Sequence, residues 1–187
     1  MRFMTHTEEE LIAGCRKGDR KMQHELYQRF AGKMFVVCLR YVQGQLEAED
    51  VLQEAFIKVF NKLEQYRAEA SLTSWIKRIV VNTALNHQRG KLYMYPMVDV
   101  ENMHGMAGQE LTLSGYHFQD LLRLIQELPS GCRVIFNLYA IEGYNHKEIA
   151  ELLKISEGTS KSQYARARQL LQSRIVALEK NGYEKVK

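Results

Sequence analysis

The chain has 187 residues, 45% of them hydrophobic and 26% charged, with only two prolines and a formal charge of +4. That supplies apolar material for one ordinary core or two small ones, and the charge is too mild to separate a nucleic-acid binder from any other soluble protein. Three widely spaced cysteines, Cys15, Cys38 and Cys132, exclude a disulfide framework and a CxxC metal site, and no run approaches the roughly 20 apolar residues that span a bilayer. A soluble, cytoplasmic protein of a reducing compartment is expected.

Helix signals start at Thr7, a cap oxygen followed by three glutamates over the first turn, and the first helix runs to about Lys17 before Gly18. Asp19 caps a long second helix whose apolar residues Met22, Leu26, Phe30, Met34, Val37 and Tyr41 recur every three or four positions, with Gly44 as its stop. A third helix, about 46 to 64, carries Val51, Leu52, Ala55, Phe56, Val59, Phe60 and Leu63 inward, and Glu47, Asp50, Gln53 and Glu54 share its outer side. Residues 65 to 71 read as a loop, with Ser71 capping a fourth helix from 72 to 89.

That fourth helix sorts into two faces. Leu72, Trp75, Ile76, Ile79 and Thr83 form an apolar stripe, while Arg78, Asn82, Asn86 and Arg89 recur at steps of four, four and three. Alternating Arg and Asn on one stripe suits bases and phosphates together; an ordinary solvated face has the same pattern. From Tyr93 to about Tyr116 the periodicity fades, broken by Pro96, Gly105, Gly108 and Gly115. This stretch reads as a flexible acidic linker, 93–116, since residues 92 to 122 hold Asp99, Glu101, Glu110 and Asp120 and no Lys or Arg. At about 3.4 Å per residue it can extend roughly 80 Å, so the parts on either side can act at separated sites.

Short helices resume with "FQDLLRLIQEL" before Pro129, then a segment from Ser130 to Gly143. Asn145 opens "NHKEIAELLK" with Glu148 three positions on, a capping-box arrangement that points Ile149, Leu152 and Leu153 inward. A tight turn at "KIS" then delivers Ser156 as the cap of "EGTSKSQYARARQLLQSR", which holds four cations against one acid. Two short helices about three residues apart, the second basic, read as a helix-turn-helix. Tyr164, Ala167 and Leu171 make the inward stripe, leaving Lys161, Ser162, Ala165 and Arg166 outward near the helix start. Lys and Arg donate to guanine O6 and N7, Ser serves several bases, and Ala sits against a thymine methyl. Arg168 and Arg174 are placed for phosphates.

Taken together, "EAEDVLQEAFIKVF", "YRAEASLTSWIKRIVVNTALNHQR" and "LPSGCRVIFNLYAIEGYNHKEIAELLKISEGTSKSQYARARQLL" resemble the extracytoplasmic-function (ECF) class of bacterial sigma factors, in the right order over roughly residues 8 to 178. The resemblance implies an all-α chain of two small helical domains joined by a flexible linker. Residues 1–92 would be the region 2 helical bundle and 117–187 the region 4 helix-turn-helix. It implies a transcription initiation factor that binds core RNA polymerase through the clamp helices and flap and directs it to promoter DNA. Glu47, Asp50, Gln53 and Glu54 then carry over as polymerase contacts. Tyr66, Arg67, Trp75, Arg78, Asn82, Asn86 and Arg89 carry over to melting and reading the -10 element, and Lys161, Ser162, Ala165, Arg166 and Arg168 to the -35 element. The linker would thread polymerase channels otherwise used by nucleic acid. An anti-sigma factor is the further partner this class implies.

The chain departs from the family pattern at Ser160, where Val is common, at Gln163, where a basic residue is common, and at Ala165, where a larger one is. No segment ahead of residue 8 matches the extra regions of housekeeping sigma factors. A rival reading is a stand-alone helix-turn-helix regulator binding DNA as a dimer, because "NHKEIAELLKISEGTSKSQYARARQLL", residues 145 to 171, also resembles the DNA-binding domain of quorum-sensing and response-regulator activators. The first 90 residues, however, show no βα alternation. An enzyme is not expected: the six histidines are scattered, none at metal-ligand spacing, and the glycines make no phosphate loop. Neither a metal, a cofactor nor a small-molecule substrate is expected.

Overall fold

The structure, a computed structural model, describes the backbone of residues 6–94 and 118–180, with the side chains of 89–94 and 179 left aside. Most of the stretch expected as the linker, 95–116, therefore lies outside the described residues. The chain forms two compact units, Met1–Gln88 and Arg89–Lys187, and among the described residues the regular structure is entirely helical.

In the first unit, α1 (Glu8–Arg16) starts on the expected signal: Thr7 accepts from the Glu10 backbone N–H, and the Glu10 carboxylate returns to Thr7 N–H at 2.8 Å. Gly18, at φ +76°, turns the chain, and Asp19 caps α2 (Arg20–Tyr41) through Lys21 and Met22. A Cβ on Gly14 would collide with the Met22 side chain, so only glycine lets α1 lie this close to α2. Gly44, at φ +94°, begins α3 (Gln45–Lys62) rather than ending α2, which stops at Tyr41. The stripe Leu26, Phe30, Met34, Val37, Cys38 and Tyr41 meets Ala48, Val51, Leu52, Ala55, Phe56 and Val59, all buried, and Tyr27 stands edge-on to Phe56 at 4.7 Å. A single 3-10 turn, Leu63–Gln65, follows.

α4 (Leu72–Met94) runs beyond the expected end at 89. Its inward stripe is Leu72, Ile76, Val80, Thr83 and Ala84, all buried, whereas Trp75 and Ile79 are half-buried on its flank. The stripe predicted from every third and fourth apolar residue was therefore rotated by one position, because Val80 and Ala84, not Trp75 and Ile79, complete the i, i+4 row. Thr83, the polar member, turns its hydroxyl onto the Ile79 carbonyl at 2.9 Å and stays satisfied.

The second unit has α5 (Phe118–Gln126), α6 (Ser130–Phe136), a π-helical turn over Asn137–Ile141, α7 (His146–Leu153) and α8 (Glu157–Lys180). Leu124, Ile125, Leu128, Cys132, Phe136, Ala167, Leu171 and Ile175 form its core. Two arginines close the C-terminal end of α5. The fully buried Arg133 donates to the Gln126 carbonyl at 2.8 Å, and Arg174 donates to the carbonyls of Leu124 and Glu127 at 3.4 and 3.2 Å. Orphan carbonyls at a helix end favour cations, which explains an Arg inside this core.

Candidate functional site

The helix-turn-helix is built as its caps demand. Asn145 accepts from Glu148 N–H at 2.9 Å, and the Glu148 carboxylate returns to Asn145 N–H at 2.8 Å, starting α7. Lys154 ends it in the left-handed region at φ 56°, and Ile155 N–H reaches the Ala150 carbonyl. Ser156 then caps α8 by accepting from Thr159 N–H at 2.9 Å. Ala167 and Leu171 are buried and Tyr164 half-buried, which places the expected stripe inward.

On the opposite side of α8, Lys161 and Ala165 are exposed, and Ser162, Arg166 and Arg168 are half-buried. At about 100° per residue, Ser162 and Ala165 lie centrally on the outward face, with Arg166 at one edge and Arg168 at the other. Exposed Gln169 shares the centre of this face, about two helical turns beyond Ser162. It was not singled out from sequence, although its spacing to Ser162 and Ala165 carried the signal. Lys161 is ion-paired with Glu157 at 2.7 Å, a contact that also holds the Glu157 carboxyl below its ordinary value. Ser162 gives its hydroxyl proton to the Thr159 carbonyl at 3.1 Å and keeps its lone pairs for a donor. Arg174, expected at a phosphate, is instead committed to α5 and to the Glu127 carboxylate at 3.5 Å. Periodicity could not show this, because the partner carbonyls belong to a helix some 50 residues away.

Ser160 and Gln163, the two departures on the inner side, are both buried and both polar-bonded. Ser160 Oγ lies 2.9 Å from His146 Nδ1, and Gln163 Oε1 accepts from the Cys132 thiol at 3.0 Å. His146 also stacks on Tyr139, centroids 4.3 Å apart. Burial first, and then the Lys161 charge, lowers its pKa.

In the first unit, Arg78, Asn82 and Asn86 are exposed on one row of α4, and Arg89 lies on the same helix with its side chain outside the described set. Trp75 packs against Tyr66, centroids 5.3 Å apart, and Tyr66 Oη donates to the Ala70 carbonyl at 2.8 Å. Arg67 is exposed beside Ala68, which adopts φ 58°. Tyr66 and Trp75 are thus in contact, and exposed Arg78, Asn82 and Asn86 follow Trp75 along α4 at steps of three, four and four.

α3 turns Asp50, Gln53 and Glu54 to solvent, the last paired with Lys58 at 2.6 Å. Glu47 differs from them: it is half-buried, 3.0 Å from His87 Nε2 on α4, and it accepts from Gln43 N–H at 3.1 Å. Its carboxylate is spent on tying α3 to α4. Leu46 and Ile57, 79% and 61% exposed, lie four residues before Asp50 and four after Gln53 on the same face. Two large apolar side chains thus stand in water beside the acids, a feature the amphipathic pattern alone did not reveal.

Among the described residues no group of three or more His, Cys, Asp or Glu could hold a metal ion, and no helix is long and apolar enough to cross a membrane.

Residues 26–91 match the family model of Sigma-70 region 2, and residues 118–171 that of Sigma-70, region 4. The ECF RNA polymerase sigma-E factor of Escherichia coli (strain K12) is 30% identical over 184 residues, covering 92% of this chain and 96% of that protein. This chain belongs to the ECF class of RNA polymerase sigma factors. It is a transcription initiation factor, and the region 2 match sets aside the stand-alone regulator. The sigma-E factor of Haemophilus influenzae is 29% identical to this ECF sigma factor over 186 residues, 92% of this chain and 97% of the relative. Among solved structures, CnrH in complex with the cytosolic domain of CnrY has a TM-score of 0.49 at 18% identity, covering 91% of this chain and 97% of the other. The sigma factor RpoE in complex with the anti-sigma factor NepR from Bartonella quintana has a TM-score of 0.49 at 19% identity, covering 80% and 94%.

Proposed function

We propose that residues 1–92 carry polymerase docking and -10 recognition, that 93–116 are a flexible acidic tether, and that 117–187 read the -35 element. Asp50, Gln53 and Glu54, flanked by Leu46 and Ile57, meet the polymerase clamp helices, and Glu47 holds that face against α4. The loop residues Tyr66 and Arg67, with Trp75, Arg78, Asn82, Asn86 and Arg89 on α4, separate and bind the strands of the -10 element. Lys161, Ser162, Ala165, Arg166 and Arg168 enter the major groove at the -35 element, and the second unit also meets the polymerase flap. The observation that carries this reading is the opposition of charge within one unit: α3 presents acids outward where α4 presents Arg and Asn. A surface of each sign fits a protein that bridges a polymerase and its template.

The protein performs no chemistry of its own in this reading and acts in the cytoplasm. An anti-sigma factor would compete for the same faces. Purified protein mixed with bacterial core polymerase should co-elute at mild salt and produce new transcript start sites; absence of both overturns the reading. Tight binding of the free protein to a palindromic duplex, without core, would return the dimeric regulator.

A further inference from the structure

The loop between α3 and α4 carries one residue in an uncommon backbone conformation. Ala68 sits in the left-handed region, which a non-glycine residue keeps only where its surroundings over-determine it. The loop's internal ties include the Tyr66 N–H to Leu63 carbonyl bond at 3.2 Å, the Tyr66–Ala70 hydrogen bond, the Tyr66–Trp75 ring contact and the Ser71 cap. A further tie comes from outside. Arg16, in the last turn of α1, donates from Nε and Nη2 to the Leu63 carbonyl, both at 3.3 Å, and from Nη2 to the Tyr66 carbonyl at 2.7 Å. A planar guanidinium can hold two carbonyls three residues apart in a fixed spacing, which a single ammonium cannot.

We propose that Arg16 is a positioning residue for promoter opening. By clamping the backbone at Leu63 and Tyr66 it fixes the Tyr66–Trp75 pair and the exposed Arg67 in the conformation that receives the unpaired -10 strand. This rests on the assignment of that loop to the -10 element. Arg16 itself is on the exposed side of α1, and Leu11 and Cys15, not Arg16, anchor α1 to the core. Its loss therefore removes the clamp while leaving the fold in place.

Trp75 is the chain's one tryptophan, so its fluorescence reports this loop directly. The experiment uses full-length protein as holoenzyme. The probe is a promoter found by start-site mapping with the wild type, prepared as a heteroduplex unpaired across the -10 element. Arg16→Ala should raise iodide quenching of Trp75 in the free protein. It should also weaken holoenzyme binding to the heteroduplex by about tenfold, the equivalent of roughly one charged hydrogen bond, while affinity for core stays within about twofold. Arg16→Lys should recover part of the loss, since one donor can still reach one carbonyl. Wild-type quenching and wild-type heteroduplex affinity in Arg16→Ala would overturn the proposal, as would an equal loss of core affinity, which would make Arg16 a general fold contact. Failure of the wild type itself to bind core or heteroduplex would instead refute the assignment of the loop.

Discussion

The acidic face of α3 contains two kinds of carboxylate, and separating them tests the docking assignment. Asp50 is exposed, six residues into the helix, so Asp50→Lys disturbs no packing. The new Lys would stand four residues before Glu54, a pairing worth a few tenths of a kcal/mol at best, and less here because Lys58 already holds Glu54 at 2.6 Å. Stability should stay within about 0.5 kcal/mol of the wild type. At a charged interface the reversal replaces attraction by repulsion, costing about 3 kcal/mol or some 100-fold in affinity for core. Glu47→Gln is the counterpart. It keeps an acceptor for Gln43 N–H but loses the charge facing His87, so it should lower the melting stability of the first unit by about 0.5 to 1 kcal/mol and core affinity by no more than about threefold. Scanning calorimetry of the free protein and fluorescence anisotropy against core measure the two quantities separately. Unchanged core affinity in Asp50→Lys refutes the docking face, and equal effects of the two substitutions refute the distinction between partner-facing and fold-facing acids.

Arg166→Ala should weaken promoter binding by about 1 to 3 kcal/mol in a sequence-dependent way, read by competition between cognate and altered -35 elements; a uniform loss would make it a phosphate contact. Arg174→Ala should cost the second unit about 1 kcal/mol in chemical denaturation by uncapping α5, with the salt dependence of DNA binding unchanged. For His146 the direction of the pH effect is fixed by its lowered pKa: as pH falls below about 6.5 the unfolded chain takes the proton first, so the contribution is complete above that value and is lost as pH drops through the folded one. Denaturation curves at pH 7.5 and 5.5 should show the second unit weakening in acid, and His146→Asn should remove the histidine's share of that difference.

Caps and turns were the most legible features of the sequence. Thr7, Asp19, Asn145 and Ser156 each begin the helix they promised, because a cap bond is closed by residues two or three apart and needs no knowledge of the tertiary fold. Exposure of Arg78, Asn82 and Asn86 was legible for a related reason: an i, i+4 row of polar residues has one side of the helix to occupy. What periodicity could not resolve was the choice between neighbouring apolar rows. Both rows of α4 are hydrophobic, so tertiary packing, not the pattern, decided that Val80 and Ala84 go inward. Arg16, Glu47, Arg133 and Arg174 were illegible in a stronger sense. Each is a charged residue on a polar-looking position whose partner lies on another segment, and charge alone reads as solvent-facing until the partner is known.

The departures at Ser160 and Gln163 show how a packed motif absorbs polarity. A fully buried hydroxyl without a partner costs on the order of 1 to 3 kcal/mol, enough to disfavour Ser where Val is common. Here His146, at the start of α7, supplies the partner at 2.9 Å, and Gln163 finds the Cys132 thiol of α6 at 3.0 Å. The two bonds join α8 to α7 and to α6 on the side away from the outward face, so polarity that might have loosened the motif instead fixes the orientation of the helix that carries Lys161, Ser162, Ala165 and Arg166. A hydrogen bond specifies a geometry where an apolar contact tolerates sliding. If α8 reads the -35 element as proposed, Ser160→Val should lower promoter binding by breaking the His146 contact while Lys161, Ser162, Ala165 and Arg166 stay in place, measured by competition binding of holoenzyme.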